Sequence, residues 1–219
     1  MASSDMHAAR MMMVDSQVRP NKVTDAALIA SLRSLPREDF LPPNLVARAY
    51  ADEPIRLGDE RVMLEPMVIA RMLQLAAIRP GENVLVAACG GGYSAALIAS
   101  LGAVVTALEE SPALTAVATR ALSEHAPGVS LVSGPIAAGW PKSAPYDLIF
   151  IDGAVEDLPD EFASQLRPDG RIVMVLPVSA KLGHAVIGHL SQGSLAFTAT
   201  FDCAASPLPM MRRAAAFVF

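Results

Sequence analysis

The sequence predicts a doubly wound α/β domain: a mostly parallel sheet, antiparallel at its C-terminal edge, under an N-terminal helical cover. Three observations predict it. Short apolar runs alternate with helix-patterned segments between Asn83 and Leu176. A glycine cluster, Gly90-Gly91-Gly92, follows the first run directly. An acid, Glu109, closes the second run about 20 residues further on, a spacing that suits a nucleotide site. Runs without polar alternation imply strands buried on both faces, hence parallel strands joined by right-handed helical crossovers.

Taken in order, residues 1–13 read as a Met-rich tail with His7 and Arg10 and no apolar signal core. Val14 to Tyr50 is helical in pattern. Thr24 is the expected cap of a helix through Ala26, Leu28, Ile29, Leu32 and Leu35, which Pro36 ends. A short helix is expected from Leu45 to Tyr50, and Arg56 to Pro66 reads as a loop. Met67 to Ala77 is amphipathic and stops at Arg79-Pro80-Gly81. Strands are then expected at Asn83–Ala88, Val104–Leu108, Val129–Val132, Tyr146–Ile151 and Arg171–Leu176. Between them come helices from Ser94 to Leu101, Pro112 to His125 and Pro159 to Leu166, with a turn at Arg167-Pro168-Asp169-Gly170. Ala196–Thr200 and Ala214–Phe219 are candidates for a closing pair of edge strands. His184 and His189 read as helix-surface residues. The expected organisation is one domain over 14–219, with a helical region at 14–80 and an α/β core at 81–219.

Composition narrows the function. Hydrophobic residues make up 53% and charged residues 18% of the 219, enough to bury a full core and too apolar for a disordered chain. A net charge of −5 with no Lys/Arg run argues against nucleic acid, whose phosphates need a basic face. Apolar stretches break before the roughly 18 residues a membrane-spanning helix requires, so no membrane partner is expected. Cys89 and Cys203 have neither disulfide-framework nor metal-ligand spacing, so no metal and a reducing, cytoplasmic compartment are expected. Oligomeric state is open.

In a doubly wound sheet the ligand lies outside the carboxyl ends of the strands. Four features fall there: the loop Ala88-Cys89-Gly90-Gly91-Gly92-Tyr93, Glu109, Gly134-Pro135, and Asp152. Glycines let a backbone turn sharply and approach a ligand, and the following helix N-terminus offers unpaired N–H groups. An acid at the second strand's end suits ribose hydroxyls. Plainer readings stand beside these: a tight turn for the glycines, a turn aspartate for Asp152, a solvated acid for Glu110, a small buried residue for Cys89, and packing for Trp140 and for Met63, Met67 and Met72.

Several blocks resemble those of protein-L-isoaspartate O-methyltransferases. They are Met13-Val14-Asp15-Ser16-Gln17-Val18-Arg19, Leu35-Pro36-Arg37 with Phe40, Ala49-Tyr50-Ala51-Asp52, Val84-Leu85 through Ala96, Gly139-Trp140-Pro141 with Ala144 to Asp147, and Leu166 to Arg171. The resemblance runs collinearly from Met13 to about Pro177 and implies a Rossmann-like methyltransferase fold, S-adenosylmethionine as cofactor, and carboxyl methylation of a protein or small-molecule acceptor. It implies cofactor contacts from residues 88–93, Glu109, Gly134 and Pro135, and a substrate loop that includes Arg61, Leu64, Glu65 and Pro66; Asp152, at the same sheet edge, is the candidate compensating acid. The chain departs from the family pattern at named positions. Val86 and Pro135 stand where the family has acids, Ala88 where it has its first loop glycine, and Val62 and Leu64 where it has Thr and Ser hydroxyls. No Ser-His-Asp machinery is expected, because methyl transfer from a sulfonium needs alignment and a dry site. Those departures keep two other readings open: an inactive descendant serving as a binding or regulatory module, and a methyltransferase with a less polar acceptor suited to Met63 and Leu64.

Overall fold

The structure, a computed structural model, describes residues 3–179, 182–191, 194–204 and 207–212. Its centre is a seven-stranded sheet of order β5-β4-β3-β6-β7-β8-β9. The strands are β3 (Asn83–Ala87), β4 (Val104–Glu109), β5 (Ser130–Ser133), β6 (Tyr146–Ala154), β7 (Leu166–Pro177), β8 (Leu182–Ser191) and β9 (Ser194–Ala204). β5, β4, β3, β6 and β7 pair in parallel, while β8 pairs antiparallel with both β7 and β9. The order reverses at β3, where β4 leaves to one side and β6 to the other.

The apolar runs are explained by what covers the sheet. Val84, Val86, Leu148, Phe150, Val173 and Val175 pack into one layer, with helices α2 (Ala26–Ser34), α3 (Pro66–Ala76), α4 (Tyr93–Ser100) and α5 (Pro112–His125). Their neighbours Leu85, Ala87, Ile149, Ile151, Ile172 and Met174 pack into the other, against Ile136, Phe162 and Leu208. Both faces are buried, so period-two alternation of polarity never develops.

Several elements differ from expectation, each for a local reason. Residues Ser3–Met13, read as a tail, form helix α1, whose last residue Met13 is buried against the core. Helix α2 is capped by Asp25 rather than Thr24; its side chain accepts from the Leu28 N–H at 2.9 Å. The segment read as a loop is a hairpin of β1 (Ile55–Gly58) and β2 (Arg61–Met63), a two-stranded sheet of its own. Its turn passes through Gly58, Asp59 and Glu60 at φ 104°, 50° and 56°. The expected helix from Pro159 shrinks to α6 (Glu161–Ser164), because β7 already begins at Leu166, paired with Tyr146. His184 and His189 lie on strand β8, not on a helix, and His184 meets Asp202 of β9 at 2.7 Å. Ala196–Thr200 belongs to β9, as expected, while Ala214–Phe219 lies outside the described residues. Among the described residues, no helix is long and apolar enough to cross a membrane.

Candidate active site

β3 runs out at Ala87 and the chain turns three times through left-handed backbone, at Ala88 (φ 60°), Gly90 (φ 57°) and Gly92 (φ 93°), before α4 begins. Glycine takes such angles freely, whereas Ala88 holds one at a steric cost. Gly91 is a glycine for a different reason. A Cβ there would sit 1.9 Å from the Phe40 carbonyl oxygen, so the helical cover is docked directly onto the loop. Phe40 also packs edge-on against Tyr93, centroids 5.4 Å apart. Cys89 is buried in the loop. Burial first, and the Glu109 charge second, push its thiol well above the usual range, which makes it an inert packing residue.

Glu109 ends β4 beside this loop and is fully buried. Its carboxylate accepts the N–H of Gly90 at 2.8 Å and those of Glu110 and Ser111 at 3.0 Å each. It also faces Arg61 of β2, which is 3% exposed. Arg61 donates from Nη1 to Oε1 at 2.7 Å and from Nη2 to Oε2 at 3.1 Å, while Nη2 reaches the Ala88 carbonyl at 2.8 Å. A planar guanidinium matched to a carboxylate in this way is the strong form of an ion pair. The Ala88 carbonyl, turned outward by its left-handed backbone, is held by the same side chain.

Asp152 lies on the next strand, one residue past the Ala87–Ile151 register pair of β3 and β6. It is 8% exposed, and Ser94 of α4 donates to its Oδ2 at 2.7 Å. Oδ1 has no hydrogen-bond partner. Burial pushes its carboxyl up to about 6, with Ser94, Arg61 and Arg37 acting in the opposite direction. Nearby, the buried Tyr93 hydroxyl and Arg37 guanidinium face each other; burial pushes the Tyr93 hydroxyl's titration up, and Arg37 pulls it down. Arg37 is wholly buried, lies 5.0 Å over the Tyr93 ring, and donates to the carbonyls of Ala49 (2.9 Å) and Leu64 (2.6 Å). Buried polar atoms are seldom left unpaired, so Asp152 Oδ1 stands out as an acceptor still free at the carboxyl end of the sheet.

The remaining candidates divide. Gly134 packs on Trp140, its notional Cβ 3.2 Å from the ring, and directly follows β5, its N–H donating to the Glu109 carbonyl. After Pro135, the Ile136 N–H donates to Glu110 at 2.9 Å, so Glu110, read as a solvated acid, ties the exits of β4 and β5 together. Of the residues expected in a substrate loop, Leu64 is buried and its carbonyl accepts from Arg37. Glu65 precedes Pro66 at the start of α3, and burial followed by the Asp52 charge raises its carboxyl. Thus residues 88–93, Arg61, Glu109 and Asp152 come together, whereas Glu65 and Pro66 serve the start of α3. Sequence reasoning missed Arg37 and Ser94 as site residues. Arg37 carried one signal, a lone cation inside an apolar Leu-Pro-Arg…Phe block; Ser94 carried another, its place just after the glycine loop within the block that resembles the family's cofactor motif.

Comparison with known proteins gives the family. The sequence profile of the protein-L-isoaspartate(D-aspartate) O-methyltransferase family matches residues 9–201. The chain is 35% identical over 208 residues to the protein-L-isoaspartate O-methyltransferase of Methylorubrum extorquens (strain PA1), covering 95% of this chain and 90% of that one. It is 34% identical over 197 residues to that of Gloeobacter violaceus, covering 90% and 96%. A solved protein-L-isoaspartate O-methyltransferase superposes with a TM-score of 0.78 at 22% identity, over 91% of this chain and 65% of that one. A β-aspartate methyltransferase from Plasmodium falciparum, solved with S-adenosyl-L-homocysteine, superposes with a TM-score of 0.77 at 14% identity over 92% and 98%. On the profile match and the sequence identities, the chain belongs to the protein-L-isoaspartate O-methyltransferase family.

Proposed function

We propose that this protein is an S-adenosylmethionine-dependent carboxyl methyltransferase that acts on L-isoaspartyl residues of proteins. The single observation that carries the reading is the meeting of the left-handed loop 88–92, Glu109 and Asp152 at the carboxyl ends of β3, β4 and β6, in a chain of this family. When bound, S-adenosylmethionine supplies a methyl group made electrophilic by its sulfonium. Everything else is the work of the protein's own residues.

The residues fit such a group at its amino-acid end. Asp152 Oδ1 is a buried acceptor without a partner, the acid the chain offers where Val86 has become core. Ser94 holds the other oxygen and fixes the carboxylate's direction. Glu109 is the acceptor for ribose hydroxyls, positioned by the backbone N–H groups of Gly90, Glu110 and Ser111. The loop Ala88 to Tyr93 gives close backbone approach, and Gly134-Pro135 flanks it at the exit of β5. Residues 14–80 act as cover and acceptor side, and residues 81–219 as cofactor core. Met63 and Leu64, 5% and 2% exposed, keep the acceptor side dry, which strengthens each electrostatic contact within. The two unpaired cysteines suit a reducing cytoplasm. Nothing in the comparisons supports the inactive alternative.

The test is transfer of labelled methyl from S-adenosylmethionine to a peptide carrying one isoaspartyl residue, with the aspartyl peptide as control. Base-labile label on the isoaspartyl peptide alone is expected. Equal labelling of both peptides overturns the isoaspartyl assignment; no labelling of either, with folded protein, overturns the reading.

A further inference from the structure

Glu109 has no acceptor capacity left. A carboxylate offers about four lone-pair sites, and this one already receives two bonds from Arg61 and three from backbone N–H groups. The three backbone donors are built into the loop and the strand end. The two from Arg61 come instead from a side chain of the two-stranded hairpin that lies outside the main sheet.

We propose that Arg61 is an internal stand-in for a vicinal diol, a latch that fills the ribose subsite at Glu109 and is exchanged for the two ribose hydroxyls when a nucleoside ligand binds. This rests on the reading of the cleft as a nucleoside site. The geometry supports it: a guanidinium edge places one N–H donor on each carboxylate oxygen, the two-point approach a vicinal diol also makes, and with three backbone N–H groups on Glu109 there is no room for a further donor until Arg61 leaves. The mounting supports it as well. Arg61 directly follows Gly58, Asp59 and Glu60, a turn in left-handed backbone held at its tip by Ser111 to Asp59 at 3.1 Å and by an exposed Arg212–Glu60 pair, while Ile55 and Met63 anchor the strands in the core and leave the turn as the part that can yield. Beside it lies a cleft of about 400 Å³ lined by Arg56, Gly58, Glu60, Arg61, Val62 and Arg212, into which the side chain has room to withdraw. One Arg61 nitrogen, Nε, is buried without a partner, so the closed position is not fully satisfied. The latch selects for ligands that present two adjacent hydroxyls and penalises those with fewer, because only a diol replaces both lost bonds.

The deciding experiment is calorimetric titration of S-adenosylhomocysteine into wild type, Arg61→Gln and Arg61→Lys. Removing the competing bidentate donor is expected to tighten binding by about 10- to 100-fold in Arg61→Gln. Arg61→Lys keeps the charge but not the two-point fit, so a smaller gain is expected, and it decides the matter should Arg61→Gln not fold. Equal or weaker binding in the folded variants overturns the latch while leaving the cofactor reading intact. No binding to any of the three overturns both.

Discussion

At the residue scale, the most informative group is Asp152. Its carboxyl sits at about 6 in the folded protein against an ordinary 3.8, burial being the main cause. A raised value means that the folded state holds the proton more tightly than the unfolded chain. The group therefore costs nothing below about pH 4, its cost grows as pH rises towards 6, and it is constant above that, on the order of 3 kcal/mol at most. Asp152→Asn keeps an acceptor for the Ser94 hydroxyl and removes the charge. It is expected to melt about 5–10 °C above wild type at pH 8, with the gap closing at pH 4, by scanning calorimetry of both proteins without ligand. A gap that is the same at both pH values would show that Asp152 is not carrying a buried charge. The same variant lacks the proposed acceptor for the methionine ammonium, so the stabilised protein is expected to bind S-adenosylhomocysteine more weakly.

At the element scale, the loop between β3 and α4 serves two masters. Gly90 and Gly92 have left-handed backbone, whereas Gly91 is required by the Phe40 carbonyl of the cover. Gly91→Ala forces the cover and the loop apart and is expected to destabilise by at least about 1–3 kcal/mol, the cost of overpacking, in urea denaturation. Because Phe40 packs on Tyr93, loss of tyrosine near-ultraviolet ellipticity is expected with it. Unchanged stability would mean that the cover does not rest on the loop. Arg171 shows the same economy elsewhere: one side chain pairs with Glu82 at 2.8 Å and caps the Ala77 carbonyl at the end of α3 at 3.1 Å, joining β7, α3 and the approach to β3.

At the scale of the whole molecule, the proposed cofactor site is built from both the helical cover and the sheet. Arg61 of the hairpin meets Glu109 of the sheet, and Arg37 of the cover, bonded to Leu64 beyond the hairpin, lies over Tyr93 at the start of α4. A ligand seated there is expected to stabilise the entire fold. S-adenosylhomocysteine at 100 times its dissociation constant contributes about 2.7 kcal/mol, a melting shift of roughly 5–10 °C for a chain of this size. A shift seen only in Arg61 variants would place the latch above the wild type's reach. No shift at any concentration, in wild type or variants, would remove the cofactor reading.

The sequence by itself determined the sheet core. Asn83–Ala87, Val104–Glu109 and Pro112–His125 were legible because continuous apolar runs and a capped amphipathic helix are local signals, set by chain neighbours. The positions of the glycine loop and Glu109 followed, since both are tied to strand ends. The hairpin at 55–63 was not legible: its strands have four and three residues, and its turn uses Asp59 and Glu60 in backbone that sequence pattern does not mark. Nor were the partners of charge. Only tertiary structure decided that Arg61 closes on Glu109 across 48 residues, that Asp152 is buried against Ser94 across 58, and that Gly91 answers to Phe40. Periodicity records which face of an element is buried; which buried charge meets which is set by long-range packing, and that information exists only once the chain is folded.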